Sequence, residues 1–82
     1  MDDKTNLFNI EEFNTEFVRE TLKEVYEALE ERGYNPTNQL VGYLISGDPG
    51  YISSHKEARN KITRLDRTMI IEVLLKEFQK NN

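Results

Sequence analysis

The stretch Ser53-Ser54-His55 puts two hydroxyls beside the chain's single imidazole. Those are the residue types of a nucleophile and its general base. Nucleophilic catalysis also needs an orienting third group, with all three converging in a pocket. Ser46, Ser53, Ser54 and His55 are the candidates, but three of them are sequence neighbours. Ser54 also has Glu57 three residues on, which reads as a capping box at a helix start. That structural reading is preferred, and no catalytic residue is assigned. The chain has no cysteine, so it has neither a disulfide nor a thiolate site, which fits a reducing compartment. One histidine alone cannot build a metal site, so no metal and no cofactor are expected. The segment "SGDPG" has the glycines of an anion cradle but lacks the Lys-Ser/Thr of a phosphate loop, and reads as a structural turn.

The charged residues raise a different chemistry. The formal net charge is −4, but residues 1–32 carry ten acids and four bases while residues 33–82 carry five acids and seven bases. Within 55–67 lie Lys56, Arg59, Lys61, Arg64 and Arg67 against Glu57 and Asp66. A basic third helix after a glycine-containing turn suggests a helix-turn-helix reader of nucleic acid. Two features oppose it. The joining segment from Gly47 to Ser53 is longer than the usual three to four residues, and an overall acidic chain disfavours polyanions. A nucleic-acid-binding module therefore stands as the alternative reading.

These side chains must be positioned by helices. Residues 1–13 read as an N-terminal arm in which Phe8 and Ile10 alternate with Asn9, a pattern that allows a short strand. Asn14 is the expected cap of a first helix, whose apolar stripe is Val18, Leu22, Val25 and Leu29. Gly33 ends it. "GYNP" then supplies an N-cap at Asn35 and a proline at the first helical position. Leu40, Val41, Leu44 and Ile45 form the second stripe, which Gly47 terminates. Ala58, Ile62 and Leu65 face the core from a third helix, and Asp66 caps a fourth. Tyr34, Tyr43 and Tyr51 bracket the central corners. From Met69 to Phe78, seven of ten residues are apolar, too wide a face for one small core. An 82-residue chain is marginal as a lone domain, so a second copy is the expected cover. The reading is one all-α domain of four helices over 14–82, dimerising through Ile70, Ile71, Leu74, Leu75 and Phe78. No run reaches the roughly 18 residues that would suggest a membrane span, and the acidic start does not read as a targeting segment.

"VYEALEERGYNPTNQLVGYLISGDPGYI", followed by "ARNKI", closely resembles the IreB family of small bacterial regulatory phosphoproteins, and the resemblance extends over nearly the whole chain. It implies a cytoplasmic, non-enzymatic homodimer of helices. It also implies phosphorylation of an N-terminal threonine by a membrane-anchored Ser/Thr kinase that senses the cell wall, with an opposing phosphatase in the same circuit. The implied output is control of cell-envelope stress and antibiotic tolerance through a downstream protein. The family's arm carries two threonines. Thr5 matches the second, while Asp2 stands at the first, a departure that puts double phosphorylation in doubt. Phosphate at Thr5 would add about −1.5 to −2 charges to the acidic third of the chain. Arg59 and Arg64 on the basic helix are the expected docking residues, because a guanidinium fork pairs well with phosphate.

Overall fold

A computed structural model describes residues 10–81. It consists of α1 (Ile10–Glu31), α2 (Pro36–Ser46), α3 (Ala58–Thr63) and α4 (Arg67–Lys80), with 3₁₀ turns at Pro49–Tyr51 and His55–Glu57. There is no strand among the described residues. The four-helix, all-α expectation holds; its details change at the start of α1 and at the start of α3.

The first change is at the start of α1. The helix begins at Ile10, so Asn14 lies one turn inside it and is not its cap. Ile10–Phe13 therefore belongs to the helix, which excludes Ile10 from a strand. Phe8, Thr5 and Asp2 lie outside the described residues. Glu12 and Glu16 favour the extension, because acids in the first turns complement the helix dipole.

The corners around α2 match their residues closely. Gly33 has φ 81°. Its N–H donates to the Glu30 carbonyl at 2.9 Å, and the Tyr34 N–H donates to the Leu29 carbonyl at 3.0 Å. That pair of bonds is a Schellman motif, which needs a left-handed residue after the helix. Asn35 Oδ1 accepts the Asn38 N–H at 3.1 Å, with Pro36 at the first helical position. Gly47, at φ 76°, donates to the Tyr43 carbonyl at 2.7 Å. Asp48 Oδ1 accepts from the Gly50 N–H at 2.8 Å, and Asp66 Oδ1 from the Thr68 N–H at 2.8 Å.

The capping box at Ser54 does not form. Ser54 makes no side-chain cap bond, Lys56 and Glu57 are left-handed, and α3 starts only at Ala58. The Glu57 carboxylate instead accepts from Asn60 Nδ2 at 2.7 Å. The sharp turn lets both Ile52 and Ala58 enter the core, where each is buried.

The core runs through all four helices: Val18, Val25, Ala28 and Leu29 from α1, Leu40 and Tyr43 from α2, then Ile52, Ala58, Ile62, Ile70 and Val73. Leu22, Leu44, Leu65 and Met69 pack against it, half-buried. Ile70 is 0% exposed. Its side chain belongs to the core of the single chain, which removes it from the expected dimer face. Among the described residues no helix is long and apolar enough to cross a membrane.

Candidate interaction surface

The glycines of the central segment are explained by what packs on them. A Cβ at Gly42 would lie 2.4 Å from the Tyr51 ring, so the ring of the 3₁₀ turn rests directly on α2. Gln39 Nε2 secures the same turn by donating to the Tyr51 carbonyl at 2.9 Å. A Cβ at Gly47 would lie 2.8 Å from the Arg67 guanidinium, which donates to the Leu44 carbonyl at 3.1 Å. Arg67 thus satisfies a carbonyl at the end of α2 that has no partner within the helix. The segment "NQLVGYLISGDPGY" is a bracket that fixes α2 against the start of α4.

Fixed in this way, α2 forms one wall of a groove of about 330 Å³. Leu22 and Tyr26 of α1, Leu40, Val41 and Leu44 of α2, and Val73 and Leu74 of α4 line it, with Arg19, Lys23 and Glu77 among its polar lining. The Tyr26 hydroxyl and Thr37 Oγ1 share a hydrogen bond of 2.6 Å where α1 meets α2. Further large apolar side chains outside the groove lining are exposed. Ile45, one turn after Val41, is 78% exposed; Leu75 and Phe78 are 62% and 68% exposed. Ile71, Leu74, Leu75 and Phe78 recur at intervals of three, one and three, which places them on a single stripe of α4. Four of the five expected dimer residues therefore form an exposed apolar stripe, while Ile70 lies beneath it. Val41 and Ile45, members of the second apolar stripe, are both exposed. Leu40, Val41, Leu44 and Ile45 span too wide an arc for an 11-residue helix to bury, and the structure turns only the Leu40 side inward, together with Tyr43. The width of that arc was the signal in the sequence.

The basic residues of 55–67 are largely engaged within the chain itself. Lys61 pairs with Glu24 at 3.0 Å, Lys56 with Glu31 at 3.1 Å, and His55 Nε2 lies 2.8 Å from Glu31 Oε1. Arg59 Nε donates to the Ile52 carbonyl at 2.8 Å. Arg64 is exposed at the end of α3. A reader helix of six residues, with its cations turned to α1 and to backbone carbonyls, is poorly equipped to enter a groove of DNA.

The hydroxyl–imidazole candidates do not converge. Ser53 Oγ accepts the backbone N–H of His55 at 3.0 Å, and the imidazole is directed at Glu31 across 24 residues. Ser46 Oγ donates to the Gly42 carbonyl at 2.7 Å and accepts the Asp48 N–H at 3.0 Å. The His55 hydrogen bond, followed by that of Lys56, holds the Glu31 carboxyl below the usual carboxylate range. Among the described residues no group of three or more His, Cys, Asp or Glu side chains is placed to hold a metal ion.

What the geometry offers is an exposed apolar surface on α2 and α4. The model of one protein family, IreB regulatory phosphoprotein, matches residues 3–80.

Proposed function

Because the chain belongs to the family of IreB regulatory phosphoproteins, we propose that it is a cytoplasmic homodimer without catalytic activity, switched by phosphorylation of Thr5. A membrane-anchored Ser/Thr kinase adds the phosphate and a cognate phosphatase removes it. The output is control of cell-envelope stress and antibiotic tolerance, through binding to a downstream protein. The observation that carries the dimer is the exposed stripe Ile71, Leu74, Leu75 and Phe78, with Val41 of α2 lining the same groove as Leu74. A soluble protein that leaves so many large apolar side chains on one helix marks an interaction site there.

The case for Thr5 is supported by the state of the other threonines. Thr21 is buried, Thr37 is bonded to Tyr26, and Thr63 donates to the Arg59 carbonyl at 2.8 Å. Thr15 and Thr68 lie within α1 and α4, where the backbone is closed to the extended binding that a kinase cleft requires. Incubation with the kinase and peptide mapping by mass spectrometry tests the assignment. Phosphate on Thr5 is expected; phosphate confined to Thr15, Thr21 or Thr37 refutes it.

Of the two arginines, Arg64 is the one we propose as the docking residue for that phosphate. The Lys56–Glu31 and Lys61–Glu24 pairs run α3 antiparallel to α1, so Arg64 falls nearer than Arg59 to the end where the arm joins. Five extended residues from Ile10 reach roughly 17 Å. On the same antiparallel spacing, Arg59 stands about 25 Å along α1, and its Nε is already held by Ile52. Phosphorylation should therefore move the amide resonances around Arg64 in the wild type and leave them in place in Arg64→Ala.

A further inference from the structure

The described backbone adopts a left-handed conformation outside glycine at two consecutive residues, Lys56 (φ 52°, ψ 33°) and Glu57 (φ 63°, ψ 20°). L-residues are disfavoured there because the Cβ crowds the following carbonyl. Such a conformation persists only where its surroundings over-determine it.

Those surroundings converge on one carboxylate. Glu31, at the end of α1, places Oε1 2.8 Å from His55 Nε2 and Oε2 3.1 Å from Lys56 Nζ. The turn is tied internally as well. Ser53 Oγ accepts the His55 N–H at 3.0 Å. The Glu57 N–H donates to the Ser54 carbonyl at 3.0 Å, and the Arg59 N–H to the Ser53 carbonyl at 3.1 Å. The remaining charged groups nearby are directed elsewhere: Glu57 to Asn60, Arg59 to the Ile52 carbonyl, and Lys61 to Glu24. Glu31 is thus the carboxylate of α1 that grips this turn.

We propose that the turn at 53–57 is a two-state latch between α1 and α3. In the closed state Glu31 bridges His55 and Lys56 and holds the left-handed pair. When the carboxylate is withdrawn, Lys56 and Glu57 relax to ordinary backbone and Ala58, the first residue of α3, loses its anchor. A cationic group of a binding partner that captured Glu31 would open the latch. An event at the end of α1 would then reach the helix that carries Arg59 and Arg64. The Glu24–Lys61 pair remains as a second tie, so opening is confined to the start of α3. Glu31 is held ionised by the two bases it joins, which keeps the latch closed without a ligand.

Amide hydrogen exchange on the full chain tests this, comparing wild type, Glu31→Gln, Glu57→Gly, and the double variant; Glu57→Gly relieves one left-handed residue and leaves the His55 and Lys56 ties to Glu31 in place. Glu31→Gln should speed exchange at the Arg59 amide, which bonds across the turn to the Ser53 carbonyl, by roughly three- to tenfold, with the Gly47 amide at the far corner unchanged. Glu57→Gly should return the Arg59 amide of the double variant to within about twofold of wild type, since glycine occupies the left-handed region freely. In the wild-type background Glu57→Gly should slow its exchange. A wild-type rate at the Arg59 amide in Glu31→Gln would overturn the latch. So would a double variant that stays unprotected, or a Glu57→Gly that speeds exchange in the wild-type background.

Discussion

Replacing Leu75 with aspartate should separate assembly from folding. Leu75 is 62% exposed in the protomer, so the substitution removes little packing there, and surface changes of this kind alter stability by roughly 0.5 kcal/mol or less. In the proposed dimer the same side chain is covered. Fully burying a leucine is worth about 1.5–3 kcal/mol, so covering its exposed part contributes roughly 1–2 kcal/mol. A twofold axis counts that loss twice, giving roughly 2–4 kcal/mol and a dissociation constant raised about thirty- to a thousandfold. Burying the unpaired carboxylate adds to it. Sedimentation equilibrium should show a wild-type dimer at tens of micromolar and a Leu75→Asp monomer, with the helical circular dichroism signal retained. Ile70→Asp is the contrasting variant: Ile70 is 0% exposed, and a carboxylate there should unfold the chain. A wild-type monomer at those concentrations, or a Leu75→Asp protein that still dimerises with wild-type affinity, refutes the reasoning.

Gly33→Ala should destabilise the fold by about 1 kcal/mol, through its left-handed φ alone, because no atom lies within 4 Å of the added Cβ; a thermal melt reads this, and Gly33→Val should melt lower still. Gly42→Ala adds a methyl 2.4 Å from the Tyr51 ring, so overpacking should cost about 1–3 kcal/mol, and Tyr51→Ala in the same chain should recover part of the loss. For pH, the Glu31 carboxyl titrates below its ordinary 4.5 in the folded state. Its stabilisation is therefore present above that ordinary value and disappears as pH falls through the depressed one. The melting-temperature gap between wild type and Glu31→Gln should be open at neutral pH and close in acid; a gap that does not depend on pH would exclude the ion-pair origin.

The sequence by itself determined the features that rest on local chemistry. Gly33, Gly47, Asn35, Pro36 and Asp66 each act within about one turn of backbone, so the corners and the caps of α2 and α4 were legible from residue type. The identity of the family was legible too, because the central segment is distinctive. Tertiary structure decided the rest. Asn14 is a good cap in isolation, yet α1 runs past it to Ile10, and Ser54–Glu57 is a good capping box that gives way to a strained turn. At Ser54–Glu57 the burial of Ile52 and Ala58 outweighs a preference of about 1 kcal/mol. Periodicity could not rank the apolar residues of α2 and α4, because Ile70 and Leu75, or Leu40 and Ile45, are chemically alike. Only the positions of the neighbouring helices separate those that close the core from those left exposed. The same holds for the charges: Lys56, His55 and Lys61 read as a basic surface along the chain, but Glu31 and Glu24 meet them across the fold, and the pairing exists only once α3 lies antiparallel on α1.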